Sequence, residues 1–225
     1  MKIIVISLGG SIINPGKIDY KFLKEFKQLI LKISKNNKII ICTGGGKIAR
    51  DYIEVLKDKK PSTKDLMGIQ CTRLNAYLLA TFINDSNLKI ESIIPTKLKE
   101  VKELTKKYKI IICGGLEPGK TSDGTTAEIA QVLKAKELIN ITNVDGLFNK
   151  DPKKYRNAKF IPLISHQDFK DKLNKIREGP GQHFVLDSHA ADICRKENIK
   201  VIILQGVRNL KNYLEGKKFT GTIVF

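Results

Sequence analysis

Several residue types are scarce or absent in this chain of 225 residues. It has no tryptophan, two methionines and four cysteines, Cys42, Cys71, Cys113 and Cys194, which include no CxxC pair. Disulfide frameworks and cysteine-type zinc sites need paired or regularly spaced cysteines, so we expect neither. The three histidines form no metal-ligand motif either. The sequence therefore predicts no dedicated metal site made by protein side chains.

Long apolar runs are also absent. No stretch approaches the roughly 20 residues that span a bilayer, and the initial run MKIIVISL ends at Gly9 and Gly10. This start predicts a first β-strand rather than a signal peptide. We expect a cytoplasmic protein with no membrane partner.

Acidic residues are few relative to basic ones, 23 against 41, which gives a formal net charge of +18. Such a charge can indicate a nucleic-acid-binding protein. Here only six basic residues are arginine, and the lysines are spread along amphipathic patterns such as residues 19–35, where they mark solvated helix faces. We therefore expect anionic small-molecule substrates and no nucleic-acid partner, with a basic nucleic-acid-binding module as a weaker alternative.

Short runs rich in isoleucine and valine alternate with longer helical patterns. Strands are predicted near 2–8, 38–43, 90–94, 109–113, 138–142, 200–204 and 221–225. Helices are predicted near 19–35, 46–57, 65–84, 97–107, 124–136, 187–197 and 207–215. Continuously apolar strands are typical of a parallel sheet covered on both faces. The predicted fold class is therefore α/β, a three-layer αβα sandwich with a mainly parallel central sheet.

We expect a single domain over residues 1–225. The segment 149–182 is rich in lysine, proline and glycine and is the best candidate for an irregular region. It is predicted to lie between a larger N-terminal lobe, about residues 1–140, and a smaller C-terminal lobe, about residues 141–225.

Glycine-rich turns follow three of the predicted strands, at residues 9–11, 44–46 and 114–115. In open α/β sheets ligands bind beyond the carboxyl ends of the strands. A glycine turn that leads into a helix leaves backbone N–H groups open to an anion. One such turn is most simply a tight turn. Three at the same edge predict a phosphate-binding site, with glycine giving a ligand access to the backbone.

Residues 114–121, GGLEPGKT, satisfy the P-loop pattern G-x-x-x-x-G-K-[ST]. Pro118 has no N–H to offer a phosphate. Ser122 and Asp123 then intervene, and either can cap a helix that begins near residue 124. No later strand ends in a convincing magnesium-binding aspartate. We therefore do not interpret this stretch as a P-loop.

Together these segments resemble the amino acid kinase family, and within it the archaeal type of UMP kinase. The resemblance covers essentially the whole chain. It is carried by SLGGS (7–11), TGGGKIAR (43–50), DLMGIQCTRLNAYLL (65–79), GGLEPGKTSD (114–123) and ITNVDGLFNKDP (141–152). The third and last segments are the most specific, since the glycine loops alone identify only the wider family.

The resemblance implies transfer of a phosphoryl group from Mg²⁺-bound ATP to UMP, with the acceptor in the N-terminal lobe and ATP in the C-terminal lobe. The ATP-binding residues it implies are Gly10, Ser11, Gly46, Arg50, Thr142, Asn143, Phe148 and Asp151. The UMP-binding residues it implies are Gly45, Asp65, Leu116, Glu117, Pro118, Gly119, Lys120, Thr121 and Ser122. It also implies a homo-oligomer, a hexamer arranged as a trimer of dimers.

One position departs from the family pattern. Many members have a lysine two residues before the first glycine pair, beside the transferring phosphoryl group, and this chain has Ser7. Other charges must then act there, and Lys47, Arg50 and Lys120 are the candidates. Asp123 matches an acidic residue that organises the site in the family, so the expected catalytic residues are Lys47, Arg50 and Asp123. The alternatives are a family kinase acting on carbamate, acetylglutamate or isopentenyl phosphate, or a non-catalytic nucleotide-binding or storage protein on this fold.

Overall fold

The computed structural model describes residues 1–84, 94–150, 152, 154–177 and 185–225. Its strands are β1 (Lys2–Leu8), β2 (Asn37–Thr43), β3 (Ile110–Cys113), β4 (Glu137–Ile141), β5 (Leu147–Phe148), β6 (Phe160–Ile161), β7 (Leu163–Ile164), β8 (Lys200–Leu204) and β9 (Gly221–Val224). Its helices are α1 (Gly10–Ile13), α2 (Tyr20–Ser34), α3 (Gly46–Val55), α4 (Pro61–Ile83), α5 (Leu98–Lys107), α6 (Ser122–Val132), α7 (His166–Arg177), α8 (Ser188–Lys196) and α9 (Gly206–Leu214).

The main sheet has the strand order β3-β2-β1-β4-β8-β9-β7 within the described ranges. The strands from β3 to β8 are parallel to their neighbours, and β9 is antiparallel to β8. From β1 the chain moves outward through β2 and β3, then returns to place β4 on the other side of β1. This reversal is a topological switch point, the place where open α/β sheets bind ligands.

The sheet is buried on both faces, because alternate residues of each strand enter two different cores. Val5 of β1 packs with Phe169 of α7 and Ile193 of α8 on one face. Ile6 packs on the opposite face with Phe26 of α2, and Leu210 of α9 joins the same cluster. Burial on both faces explains the unbroken apolar runs in the sequence. The predicted three-layer fold with a mainly parallel sheet is confirmed.

The strands predicted at 2–8 and 200–204 match β1 and β8 at both ends. The prediction of an irregular segment over 149–182 is wrong for much of its length, because β6, β7 and the twelve residues of α7 lie within it. Half of the residues of α7 are charged, and the buried apolar side chains among those the structure describes in it are Phe169 and Leu173, four residues apart. The strand predicted near 90–94 falls outside the described residues except for Ile94. No described helix is long and apolar enough to cross a membrane.

Candidate functional site

The first two glycine loops contact each other backbone to backbone at the carboxyl ends of β1 and β2. A Cβ atom on Gly10 would lie 2.3 Å from the Gly46 nitrogen and 2.4 Å from the Gly44 carbonyl oxygen. Gly46 also has a φ of +65°, and a Cβ there would lie 2.5 Å from the Gly10 carbonyl carbon. Real Cβ atoms do not approach other atoms so closely, so contact between the loops by itself requires glycine here. The sequence alone suggested a different reason, access for a ligand, and that reason stays a prediction.

Side chains and backbone of α4 form hydrogen bonds with the second glycine loop, residues 44–46, and with the end of β2 before it. The buried Asn75 side chain donates a hydrogen bond of 2.8 Å from Nδ2 to the Gly44 carbonyl. The Thr43 hydroxyl, also buried, donates to the Thr72 carbonyl at 2.8 Å. Buried polar groups that find partners in this way stabilise one defined loop conformation.

The third loop, after β3, is attached to the same helix. The Gly115 N–H donates to Thr72 Oγ1 at 2.7 Å, and Arg73 Nε donates to the Gly115 carbonyl at 3.2 Å. A Cβ on Gly114 would lie 2.6 Å from Thr72 Oγ1, so helix and loop are in close contact. Sequence reasoning missed Thr72, Arg73 and Asn75 as residues that shape the site. The available signal was three polar side chains grouped within an otherwise mostly apolar stretch of helix.

The loop of residues 116–122 closes over the amino-terminal part of α4. Asp65 Oδ2 accepts a hydrogen bond of 3.0 Å from the Gly119 N–H, and Gly119 has a φ of +79°. Asp65 Oδ1 has no hydrogen-bond partner among the described residues. The structure thus brings Asp65 and this loop together, as the resemblance implied. The second oxygen of Asp65 can accept a further hydrogen bond from a ligand.

Helix α6 begins earlier than predicted and has a different cap. Thr121 is the N-cap, with Oγ1 accepting a hydrogen bond of 3.0 Å from the Gly124 N–H, and the helix starts at Ser122. The prediction that Ser122 or Asp123 caps this helix is therefore wrong. The reason is local geometry, since Thr121 is extended and its hydroxyl reaches the third residue of the helix. The Thr121 hydroxyl also donates to the Asp187 carboxylate.

Because it does not cap the helix, the Asp123 carboxylate is available to Ser7 of β1. The Ser7 hydroxyl donates to Asp123 Oδ1 at 2.7 Å, and Ser7 is buried. Burial raises the pKa of Asp123 to about 6; the Ser7 hydrogen bond opposes this shift, and the charge of Asp187 adds to it. The residue two positions before the first glycine pair therefore contacts Asp123 through a neutral hydroxyl.

Lys47 and Arg50, both predicted to be catalytic, lie on the exposed face of α3. Lys47 Nζ forms an ion pair of 2.6 Å with Asp51 Oδ2, and both side chains are more than half exposed. Solvent-exposed pairs of this kind are weak and can exchange partners. Arg50 has no hydrogen bond or ion pair with any residue that the structure describes. Their catalytic roles stay predictions.

The segment predicted to bind adenosine follows β4. The Gly9 N–H donates to the Ile141 carbonyl at 3.0 Å, which places the end of β4 beside the first glycine loop. Thr142 is half-buried, Asn143 is exposed, and Phe148 contacts Phe160 edge to face with 5.3 Å between ring centroids. Asp151 lies outside the described residues.

A threonine from the far end of the chain holds this segment. The Thr222 hydroxyl accepts a hydrogen bond of 2.8 Å from the Leu147 N–H and donates one of 2.6 Å to the Ile161 carbonyl. Gly146 is needed beside it, because a Cβ there would lie 2.7 Å from Thr222 Oγ1 and the φ is +146°. Thr222 therefore ties the β5–β6 hairpin to β9.

Comparison with known proteins decides the family. The sequence model of the amino acid kinase family matches residues 2–205, most of the chain. The chain belongs to the amino acid kinase family. Among relatives in this family, the uridylate kinase of Thermoplasma volcanium is 38% identical over 217 residues, which cover 95% of this chain and 93% of the relative.

Solved structures of uridylate and UMP kinases have the same fold. The uridylate kinase of Archaeoglobus fulgidus has a TM-score of 0.87 and 32% identity, with 100% of both chains covered. The UMP kinase of Ureaplasma parvum has a TM-score of 0.82 over 99% of this chain and 98% of the relative, and its 24% identity supports the fold alone. The predicted family and fold are thus confirmed. The ligand contacts predicted for individual residues stay predictions.

Proposed function

We propose that this protein is a UMP kinase that transfers the γ-phosphoryl group of ATP to UMP, reversibly, giving ADP and UDP for pyrimidine nucleotide synthesis. The observation that carries the proposal is the contact between Asp65 and the Gly119 N–H. Through this contact a carboxylate, which can accept hydrogen bonds from ribose hydroxyls, lies against the loop 116–122, to which the resemblance assigns the UMP phosphate. Relatives of nearly the same length that are named uridylate kinase support the same acceptor.

The proposed acceptor site uses both ends of a nucleoside monophosphate. Asp65 Oδ1 accepts from the ribose, while loop residues 116–122 surround the phosphate and Lys120 supplies a positive charge. Gly45, the N-cap of α3, is proposed to contact UMP as well. On the donor side, Gly10, Ser11, Gly46 and Arg50 face the ATP phosphates, and Thr142, Asn143, Phe148 and Asp151 bind the adenosine. The boundary between the two lobes is proposed near residue 140.

The chemistry requires little acid or base catalysis from side chains. A UMP phosphate oxygen is already a nucleophile at neutral pH, so the protein must align two polyanions and offset their repulsion. Backbone N–H groups of the glycine loops and the amino terminus of α3 provide fixed positive dipoles. Lys47, Arg50 and Lys120 add charge, and the Ser7–Asp123 hydrogen bond holds the ends of β1 and α6 together.

Mg²⁺ is proposed to enter with ATP. Among the described residues, no group of three or more His, Cys, Asp or Glu side chains is arranged to hold a metal ion. Mg²⁺ commonly binds through substrate phosphates, waters and one or two carboxylates, and Asp123 is a carboxylate at this edge that fits such a role. Bound Mg²⁺ would offset charge on the phosphate oxygens.

We also propose that the protein is cytoplasmic and assembles as a hexamer, a trimer of dimers. Helices α3 and α4 support assembly, because they carry the exposed apolar side chains Tyr52, Val55, Leu66, Leu74 and Tyr77, each more than half exposed. Several exposed apolar side chains on two helices that pack against each other fit a protein interface. Light scattering coupled to gel filtration measures the assembly directly, and a monomer would contradict it.

The test of the function is phosphoryl transfer from Mg²⁺-ATP to a panel of UMP, dUMP, CMP, AMP, carbamate and isopentenyl phosphate. We expect UMP to be the best acceptor. If the protein prefers another acceptor, the assignment of UMP as substrate is wrong, while the assignment of the fold is unaffected. ATP binding without turnover of any acceptor would indicate a nucleotide-binding protein, and would identify Ser7 as the first residue to replace by lysine.

A further inference from the structure

Lys120 contacts two carboxylates in very different surroundings. It is the only basic residue between Gly114 and Gly124. Its Nζ lies 2.8 Å from Glu117 Oε2 and 2.8 Å from Glu128 Oε1. The Glu117 side chain is 57% exposed, whereas that of Glu128 is 17% exposed. The same ammonium group is thus shared by one surface carboxylate and one shielded carboxylate.

Glu128 is also held from a second direction. His189 of α8 places Nε2 3.1 Å from Glu128 Oε1. The imidazole reaches it by lying against Gly124, where a Cβ would come 3.1 Å from His189 Cδ2. Glu128 is therefore fixed between α6 and α8, while Glu117 has only Lys120 as a partner among the described residues.

We propose that Glu128 is a positioning residue for the acceptor phosphate: it holds the ammonium group of Lys120 in place within the loop 116–122, and the phosphate replaces Glu117 on the same ammonium group. This inference rests on the proposed assignment of the loop to UMP. An incoming phosphate dianion competes with the carboxylates for Lys120. The exposed carboxylate is screened by water and salt and is given up readily, whereas the shielded pair is retained.

The two glutamates therefore have opposite predicted effects, although each substitution removes one negative charge and keeps the side-chain shape. Glu128→Gln releases Lys120 and is expected to raise the KM for UMP about fivefold, and Glu117→Gln removes the competitor and is expected to lower it about twofold. Glu103→Gln is the matched control, because it breaks a similar exposed pair with Lys106 on α5 and is expected to leave the KM for UMP unchanged.

The experiment is steady-state kinetics of the full-length protein and the three variants, with UMP and ATP varied separately and thermal melting as a check of folding. Opposite shifts in the KM for UMP, with the KM for ATP unaffected, support the proposal. If both variants shift the KM for UMP in the same direction, the net charge of the site rather than the position of Lys120 determines UMP affinity, and the proposal is wrong. Shifts mainly in kcat or in the KM for ATP would also overturn the proposal. The wild type tests the assignment separately: if it prefers another acceptor, the same comparison is made with that acceptor, and if it phosphorylates none, both proposals fail.

Discussion

The rest of the fold supports the two halves of the sheet edge, the proposed acceptor side and the proposed donor side, in different ways. On the proposed acceptor side, buried side chains of α4 form hydrogen bonds with the second and third glycine loops. Asn75 donates to the Gly44 carbonyl, and Thr72 accepts from the Gly115 N–H. On the proposed donor side, the segment around Phe148 is tied to the sheet by the Thr222 hydroxyl and packs through the Phe148–Phe160 contact. One side is supported by a helix of 23 residues, the other by a short hairpin.

The difference has a consequence for binding. A loop that is already fixed loses little conformational entropy when its ligand arrives, whereas a lightly held segment must be ordered at that moment. The acceptor loops are therefore expected to bind UMP without a change of conformation, and the donor segment is expected to change conformation when ATP binds. Substitutions at the glycine loops, at Asp123 and at the two threonines test whether the two sides differ in this way.

Gly10→Ala is expected to have the largest effect, because the new Cβ would lie 2.3 Å from the Gly46 nitrogen in a contact between two backbones. The loops must separate, and displacement of reacting groups by about 1 Å costs about 100-fold in rate. Turnover and thermal melting measure the two consequences. The matched control is Gly16→Ala, where a Cβ meets nothing within 4 Å and any effect comes from the φ of +152°. Equal losses in the two variants would contradict the role of loop contact.

Asp123→Asn tests the carboxylate that Ser7 contacts at the end of β1. The pKa of Asp123 is about 6 in the folded protein against an ordinary 3.8, so the folded state binds the proton more tightly. This contribution to stability is fully present below pH 3.8 and is lost as the pH rises through 6. The difference in unfolding free energy between wild type and variant should therefore fall by about 3 kcal/mol between pH 3.5 and pH 7. Urea unfolding at a series of pH values measures it, and a constant difference would contradict it.

Ser7→Ala tests the hydrogen bond that the same carboxylate accepts. Its hydroxyl donates to Asp123 and opposes the upward shift of the pKa, so its removal is expected to move the pKa of that carboxyl higher. Nuclear magnetic resonance titration of the labelled carboxyl carbon reports the pKa directly. A lower pKa in the variant would show that the hydrogen bond does not stabilise the ionised form.

Thr72→Val and Thr222→Val form a pair, one on each side of the edge. Each removes a buried hydroxyl that accepts from a backbone N–H, of Gly115 or of Leu147, and each is expected to cost about 1–3 kcal/mol of stability. Their kinetic effects should differ: Thr72→Val raises the KM for UMP, and Thr222→Val raises the KM for ATP. Denaturant unfolding and kinetics with each substrate varied provide the test. Identical kinetic changes would show that the two sides are not separate sites.

Much of the fold was predictable because parallel strands buried on both faces leave a simple signal. Continuous apolar runs predicted β1 and β8 at their observed ends, and the three glycine turns lie, as predicted, at the carboxyl ends of strands, here β1, β2 and β3. Helix α7 was missed because half of its residues are charged and, among the α7 side chains that the structure describes, Phe169 and Leu173 are the only buried apolar ones. A weak period of this kind does not distinguish a helix from a loop.

The finer arrangement of the site was less predictable, because it depends on contacts between residues far apart in the chain. Thr72 and Asn75 were recognised only as part of a helix, and their bonds to the glycine loops follow from how α4 packs. The cap of α6 was misplaced because Thr121, Ser122 and Asp123 are all good capping residues, and local sequence does not choose among them. The contact of Asp123 with Ser7 joins residues 116 positions apart.

The central claim is that UMP binds on the α4 side of the sheet edge and ATP on the side of the β5–β6 hairpin. The most direct test is to compare the kinetics of Asp65→Ala with those of the wild type. UMP and Mg²⁺-ATP are varied separately. The account predicts robust UMP phosphorylation by the wild type and, in the variant, a KM for UMP raised about tenfold with little change in the KM for ATP, because hydrogen bonds from ribose hydroxyls to a carboxylate are lost. A wild type that does not phosphorylate UMP, or a variant that loses affinity for ATP instead, would contradict it.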